Sequence, residues 1–317
     1  MRLTIKLILI AGLLLSACNN SSSSKQKQVI IFHAGSLSVP FKQISDEYEK
    51  RNPGTRIFLE AAGSLVCARK VTELKKPCDI VASADYYVIN QLLIPEYTSW
   101  SIRFATNEMV IAFGDKSKYA SEIDSVNWMD ILLREDVIYS RSDPDADPCG
   151  YRTVLTLLLS ERHYGRPGLT GKLLEKNREY IRPKEVDLIA LIESNAADYM
   201  FQYKSVAIQH NLKFIELPDE VNLSDPGKND IYSSVSTDVT AGKPGSRMKI
   251  TGDYINYSMT IIDDAPSKAE AEKFMELLLS PEGMEIFRKN GQNPIIPFST
   301  DQPDKIPASL RKYLKDN

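Results

Sequence analysis

The sequence predicts an α/β protein with two lobes, and three observations lead to that prediction. Apolar, β-branched runs alternate with amphipathic helical patterns from Val29 onward, which is typical of a parallel sheet covered by helices. About 290 residues follow the N-terminal segment, which is more than one hydrophobic core usually organises. Two apolar segments, 100–113 and 254–262, are long enough to pass from one lobe to the other. We therefore expect the first lobe at 29–105 and 255–317, and the second at 106–254.

Residues 1–18 have the layout of a lipoprotein signal peptide. Two basic residues precede the apolar run 7–15, which is too short to span a membrane and ends in small residues before Cys18. We expect Cys18 to become the lipid-carrying N-terminus; the alternative is an ordinary signal peptide with an incidental cysteine. Residues 19–28 are polar and of low complexity, which predicts a flexible tether. The protein is thus expected in the cell envelope, lipid-anchored and facing the periplasm or the cell exterior.

Charge and hydropathy restrict the classes of partner that this chain can have. The net charge of -3 and the absence of a basic stripe argue against nucleic-acid binding. No second apolar run in the sequence reaches membrane-spanning length, so membrane contact is expected only through Cys18. Cys67 and Cys78 flank one predicted helix and could form a disulfide or remain free, because sequence spacing does not show whether their Cα atoms are close enough.

In the first lobe, three β-loop-α units follow one another. Strands are predicted at 29–32, 55–60 and 79–82, and helices at 39–51, 65–75 and 86–93. Ligands gather at the carboxyl ends of parallel strands, where this chain has Ser36, Ser64 and Ser83. Helix capping is the alternative role for each serine, and it is the favoured one for Ser83. Ser36 and Ser64 each follow a glycine, which lets the backbone approach a ligand closely.

The second lobe has fewer clear signals. Its predicted elements are a helix at 128–133, a strand at 137–139, helices at 151–159 and 184–194, and a strand at 213–217. Helices at 268–279 and 281–290 are expected after the return to the first lobe.

A second turn suited to an anion lies at 147–150 and leads into the predicted helix 151–159. Pro148 stands at the helix entry, and the backbone N–H groups from Cys149 onward are free to donate. Asp147 could cap this helix or contact a ligand. The alternating aspartates at 143–147 resemble the start of a calcium loop, but Pro148 replaces the required glycine and Val154 the required glutamate.

These motifs resemble those of the periplasmic molybdate/tungstate-binding proteins of ABC transporters, of the archaeal type. The matching stretches are HAGSLSVPF at 33–41, AGS at 62–64, ASADY at 82–86, DPCGYR at 147–152 and FQYKSVA at 201–207. The resemblance implies the type II periplasmic-binding-protein fold, with two α/β lobes joined by two crossing strands. It also implies a monomer without a cofactor that captures molybdate or tungstate and delivers it to the permease subunits of an ABC transporter.

The resemblance further implies a set of site residues. Those implied for oxyanion binding are Gly35, Ser36, Ser64, Asp147, Pro148, Cys149, Gln202 and Tyr232. In the family, the counterpart of Asp147 coordinates the metal centre of the oxyanion, and a glutamate is the usual second ligand at the position of Gln202. A neutral amide is a weaker ligand, so we expect incomplete or tetrahedral coordination of molybdenum or tungsten in this chain.

Two other functions are compatible with the residues. The chain could be a receptor for sulfate, phosphate or a small organic anion. It could also be an exported hydrolase that uses Asp147 with a histidine, but no G-x-S-x-G or H-E-x-x-H motif is present and its three histidines lie in unrelated contexts. We therefore predict a binding protein and not an enzyme.

Overall fold

The structure is a computed structural model that describes residues 26–241 and 245–314. The predicted signal peptide, Cys18 and most of the predicted tether lie outside these residues. The first strand begins at Lys27, so the last two residues of the predicted tether belong to the folded part. No helix within the described ranges is long and apolar enough to cross a membrane.

Strands and helices alternate along most of the described chain. The strands are β1 (Lys27–Ala34), β2 (Thr55–Ala62), β3 (Ile80–Ser83), β4 (Ile102–Thr106), β5 (Met109–Phe113), β6 (Tyr139–Ser142), β7 (Ile181–Arg182), β8 (Tyr199–Tyr203), β9 (Lys213–Glu216), β10 (Ser236–Thr240), β11 (Arg247–Thr251), β12 (Asn256–Ile261) and β13 (Asn293–Ser299). The α-helices are α1 (Ser38–Arg51), α2 (Ser64–Thr72), α3 (Tyr86–Leu92), α4 (Trp128–Leu132), α5 (Pro148–His163), α6 (Leu169–Glu175), α7 (Ile189–Glu193), α8 (Lys204–Gln209), α9 (Asn229–Tyr232), α10 (Lys268–Leu279), α11 (Pro281–Lys289) and α12 (Ala308–Arg311). Short 3₁₀ turns lie at Gly35–Leu37, Arg178–Tyr180, Glu185–Leu188, Pro226–Lys228 and Pro303–Lys305.

The first sheet has six strands in the order β13-β4-β12-β3-β1-β2. Strand β1 runs parallel to β2 and β3, which confirms the predicted succession of β-loop-α units. Strand β12 runs antiparallel to both β3 and β4, and β13 runs antiparallel to β4. We call this sheet, with helices α1–α3 and α10–α12, the first lobe.

The second sheet has five strands in the order β7-β6-β8-β5-β9. Strand β6 is parallel to β7 and β8, and β5 is antiparallel to β8 and β9. We call this sheet, with helices α4–α9 and the antiparallel pair β10–β11, the second lobe. Helix α5 begins at Pro148, earlier than predicted, and the predicted helix 184–194 is a 3₁₀ turn followed by α7.

The chain passes between the two lobes at residues 107–108, which join β4 to β5, and at residues 252–255, which join β11 to β12. The predicted long segment 100–113 is therefore two strands in different sheets, separated at Asn107. The Asn107 carboxamide accepts from the Glu108 N–H at 3.0 Å and donates to Ser205 Oγ at 2.7 Å and to the Tyr257 hydroxyl at 3.0 Å. Such a side chain offers the backbone local partners in place of a sheet ladder, so it ends the strand without glycine or proline.

Cys67 and Cys78 are free and buried in the first lobe. The sulfur of Cys67 lies 3.5 Å from the His33 carbonyl, and that of Cys78 lies 3.1 Å from the Ile80 carbonyl. Burial raises the pKa of the Cys67 thiol to about 12. Both cysteines therefore act as small apolar side chains, and the disulfide that spacing left open is not formed.

Candidate functional site

The 3₁₀ turn Gly35–Leu37 follows β1 at the carboxyl edge of the first sheet and is buried. Side chains from three distant segments hold Ser36. Its N–H donates to Glu185 Oε1, its Oγ accepts from the Tyr257 hydroxyl at 2.9 Å, and its carbonyl accepts from Gln292 Nε2 at 3.0 Å. A Cβ on Gly35 would lie 3.0 Å from each Glu185 carboxylate oxygen, so any larger residue would press on the Glu185 side chain.

The other two serine turns of the first lobe do different things. Ser64 is the first residue of α2, and its Oγ accepts from the Ala84 N–H at 3.0 Å. This bond ties the second turn to the third, so Ser64 is not acting as a helix cap. In the third turn the cap of α3 is Asp85, which accepts from the Tyr87 N–H at 3.0 Å, while Ser83 Oγ donates to the Asp85 carbonyl at 2.6 Å. The favoured capping role of Ser83 therefore passes to Asp85.

Asp147 stands at the N-cap position of α5, but its side chain makes no capping hydrogen bond. The residue is fully buried, and neither carboxylate oxygen has a hydrogen-bond partner among the described residues. Ser142 Oγ, the Cys149 N–H and Glu185 lie near enough to affect its pKa, yet none of them forms a well-aligned hydrogen bond. Burial, and then the charge of Glu185, raises the pKa of Asp147 well above its ordinary value. A buried carboxylate without partners is costly, which makes Asp147 a candidate for contact with a ligand.

Glu185 is a candidate site residue that no sequence pattern indicated. It begins the 3₁₀ turn Glu185–Leu188 and is fully buried. Its Oε1 accepts from the Ser36 N–H, whereas its Oε2 has no partner within the described chain. Burial raises the pKa of Glu185 as well. In the predicted helix 184–194 a glutamate in the first turn is explained by the helix dipole, so the pattern contained no signal for a site.

Gln202, on β8, has both atoms of its amide group in local hydrogen bonds. Its Nε2 donates to the Glu185 carbonyl at 2.9 Å, and its Oε1 accepts from the Tyr203 N–H at 2.8 Å. The amide thus fastens the Glu185 turn to the second sheet. This geometry favours Glu185 over Gln202 as the second carboxylate-type oxygen beside Asp147.

The remaining predicted site residues divide into two groups. Pro148 and Cys149 are buried in the first turn of α5, directly after Asp147, and burial raises the pKa of the Cys149 thiol well above its ordinary value. Tyr232 is the last residue of α9. Its hydroxyl donates to the Asp219 carbonyl at 2.5 Å and accepts from the Asp225 N–H at 3.2 Å, so these contacts give no support to its predicted role at the oxyanion.

The two lobes meet directly at this site. A Cβ on Gly63 of the first lobe would lie 2.2 Å from the Ala146 carbonyl oxygen and 3.1 Å from Asp147 Cβ. Neutral donors on the first lobe therefore face two buried carboxylates on the second. N–H and hydroxyl groups bind the oxygens of an oxyanion, but carboxylates repel a bare anion unless they reach an electropositive central atom.

The comparisons with known proteins agree with this architecture. The sequence pattern of the family described as "Bacterial extracellular solute-binding protein" matches residues 29–293. The chain belongs to this family. Over 328 aligned residues the solute-binding protein is 42% identical to the Molybdate/tungstate-binding protein WtpA of Thermococcus kodakarensis, which covers 93% of this chain and 91% of the relative. It is 46% identical over 289 residues to an uncharacterized solute-binding protein of Petrotoga mobilis, covering 91% of this chain and 90% of the relative.

A solved structure is also similar. The periplasmic molybdate-binding protein of Azotobacter vinelandii matches with a TM-score of 0.61 at 17% identity, over 83% of this chain and 98% of that chain. At this identity the likeness shows the fold, and it confirms the type II periplasmic-binding-protein fold. The resemblance noted in the sequence is confirmed by the relatives. Because those relatives are binding proteins, the solute-binding protein is not an enzyme, and the hydrolase alternative is wrong.

Proposed function

We propose that this solute-binding protein captures molybdate or tungstate between its two lobes and delivers it to the permease of an ABC transporter. The observation that carries the proposal is the buried pair Asp147 and Glu185: both Asp147 oxygens and Glu185 Oε2 lack hydrogen-bond partners among the described residues, and Glu185 Oε1 accepts from the Ser36 N–H of the Gly35–Leu37 turn. The names of the relatives in Thermococcus kodakarensis and Pyrococcus abyssi support the same ligand.

Each residue has a defined role in this proposal. Ser36 and Ser64 donate hydrogen bonds to the oxo groups, together with backbone N–H groups around Gly35 and Cys149, next to Pro148. Asp147 and Glu185 place oxygens on the molybdenum or tungsten atom. With these two carboxylates the four oxo groups of the oxyanion are extended to six-coordination, so we replace the earlier expectation of incomplete coordination through Gln202.

The same arrangement predicts that sulfate and phosphate are rejected. The sulfur or phosphorus atom of these anions does not accept two additional carboxylate ligands, so the carboxylates only repel them. A hydrogen-bonding site made of donors alone would bind all these dianions. Specificity therefore comes from the repulsive pair as much as from the donors.

The proposal includes the setting of the protein. A lipid on Cys18 anchors it to the membrane, the tether spaces it from the surface, and the chain acts as a monomer facing the periplasm or the cell exterior. The lobes, with the predicted limits of 29–105 with 255–317 and 106–254, close on the oxyanion by a hinge at the two connections.

Calorimetric titration with tungstate, molybdate, sulfate and phosphate tests the function. We expect tight binding of the first two only, and X-ray absorption of the tungstate complex should show six-coordinate tungsten. Glu185→Gln should return the tungsten to lower coordination, because it removes one of the two proposed carboxylate ligands. Sulfate binding of equal strength would refute the proposed ligand, and six-coordinate tungsten in Glu185→Gln would refute the role of Glu185.

A further inference from the structure

A buried ion pair crosses from the first lobe to the second close to the site. Asp85 follows β3 at the carboxyl edge of the first sheet, and Arg152 lies in α5, soon after Asp147. Arg152 Nη2 is 3.1 Å from Asp85 Oδ2, and the two side chains are only 3% and 9% exposed. A charge pair this well buried is uncommon unless each charge is also hydrogen-bonded.

Both charges are hydrogen-bonded, and the bonds again cross between the lobes. The Tyr151 hydroxyl donates to Asp85 Oδ2 at 2.7 Å. Arg152 Nη1 donates to the Ala84 carbonyl at 2.6 Å and to the Tyr203 hydroxyl at 2.9 Å. The first lobe supplies the Ala84 carbonyl and the Asp85 side chain. The second lobe supplies the side chains of Tyr151, Arg152 and Tyr203. A network with all its members bonded fixes one relative position of the groups that form it.

On each lobe, residues of the network are close in the chain, or hydrogen-bonded, to residues of the candidate site. On the second lobe, Tyr151 lies one helical turn after Asp147, and Tyr203 follows Gln202, which holds the Glu185 turn. On the first lobe, the Ala84 N–H donates to Ser64 Oγ. Bringing the network together therefore brings the donors of one lobe to the carboxylates of the other.

The energetics suit a reversible contact. Two charges that form an ion pair away from water lose hydration free energy, and their mutual attraction offsets most of that loss. The net contribution of the complete pair to the free energy of closure is therefore small. When the lobes separate, both charges return to water, and neither is left buried alone. A contact of this kind favours one closed geometry without making closure irreversible.

We propose that Asp85, Tyr151 and Arg152 form an interlobe latch that sets how long a bound oxyanion is held. These are positioning residues: they act on the ligand through the closed geometry and do not contact it. The inference rests on the proposed function for its ligand, but the latch has a readout of its own, the closed fraction of the protein.

The test compares Asp85→Asn and Tyr151→Phe with matched changes inside one lobe. Asparagine caps a helix as well as aspartate does, so Asp85→Asn keeps the cap of α3 and removes the charge. Asp79→Asn is its control, because Asp79 is also buried but its carboxylate accepts from the Ile30 and Ser267 backbone N–H groups of the first lobe. Tyr48→Phe is the control for Tyr151→Phe, since the Tyr48 hydroxyl bonds to Glu270 within the first lobe.

Stopped-flow dissociation of tungstate should be about 10- to 100-fold faster in Asp85→Asn and about 3- to 10-fold faster in Tyr151→Phe, with little change in association. Small-angle scattering should show a larger mean radius of gyration for both variants at subsaturating tungstate. The two controls should change the melting temperature without changing the dissociation rate.

Unchanged dissociation and scattering in Asp85→Asn and Tyr151→Phe would overturn the latch, even if tungstate binds tightly. Equal acceleration by Asp79→Asn would also overturn it, because the effect would then follow lobe stability. If the unaltered protein fails to bind tungstate, the proposed function is lost. The latch is then tested by scattering alone. If, without oxyanion, the radius of gyration of Asp85→Asn and Tyr151→Phe equals that of the wild-type protein, the latch is refuted.

Discussion

The two lobes bring opposite chemistry to the site. On the first lobe, Ser36 and Ser64 are neutral and have hydrogen-bond partners. On the second lobe, Asp147 and Glu185 are carboxylates with buried oxygens that lack partners. In the proposed function, the first lobe is arranged for any small dianion and the second lobe carries the selectivity.

The two halves also differ in what they do to stability. Bonded serines in a turn are close to neutral for folding, whereas a buried, unpartnered carboxylate destabilises the folded state. Under the proposed function, the residues that choose the ligand are therefore those that oppose folding. Such a conflict between stability and binding is common at functional sites.

Keeping the two lobes apart should have the largest effect on tungstate affinity. In Gly63→Ala the new Cβ would meet the Ala146 carbonyl at 2.2 Å, across the boundary between the lobes. We expect tungstate affinity to fall by about 100-fold or more, because the donors no longer reach the carboxylates. Gly54→Ala, which has nothing within 4 Å, is the control, and titration calorimetry is the measurement. Near-normal affinity in Gly63→Ala would contradict the closed arrangement.

Removing the charge of Asp147 should separate binding from stability. In Asp147→Asn, tungstate affinity should drop by about 10- to 100-fold through loss of an anionic ligand. At a pH above the raised pKa of Asp147, where the wild-type carboxylate is charged, the free energy of unfolding without oxyanion should rise by about 1–3 kcal/mol, because a buried unpartnered charge is gone. Calorimetric titration and chemical denaturation measure the two quantities. A variant that loses both affinity and stability would instead indicate a structural role.

The pH dependence of stability should have a definite sign. The folded-state pKa of Asp147 is raised above its ordinary value by burial and by Glu185. The unfolded state therefore releases this proton first, and the free energy of unfolding without oxyanion should fall as pH rises from the ordinary carboxyl pKa through the raised one. Asp147→Asn should flatten this part of the profile. If the free energy of unfolding rose with pH through this range in both the wild-type protein and Asp147→Asn, the raised pKa of Asp147 would be contradicted.

The smallest effects should come from the first lobe. Ser36→Ala removes one neutral hydroxyl and leaves the backbone N–H, so we expect affinity for tungstate to fall by about 3- to 10-fold. The preference for tungstate over sulfate should not change, because the carboxylates of the second lobe are intact. Competition titration measures the ratio. A loss of preference in Ser36→Ala would place selectivity in the first lobe and reverse the comparison.

Much of this arrangement was predictable from local pattern. The strands β1–β3 follow from apolar runs, and the glycine-serine turns follow from their position at the strand ends. Asp147 was predictable as a candidate because Pro148 marks the start of a helix. The free state of Cys67 and Cys78 was not predictable, because spacing in the sequence does not give the distance between their Cα atoms.

The sequence by itself determined the α/β alternation, the family resemblance and the candidate turns, because these depend on periodicity and on short motifs. Only the tertiary structure decided which side chains meet. Glu185 reaches Ser36 through a 3₁₀ turn held by Gln202, while Tyr232 is bonded to the 219–225 loop. The pairing of Asp85 with Arg152 likewise joins residues far apart in the chain. Contacts of this kind depend on how two sheets are placed against each other, and no local pattern encodes that placement.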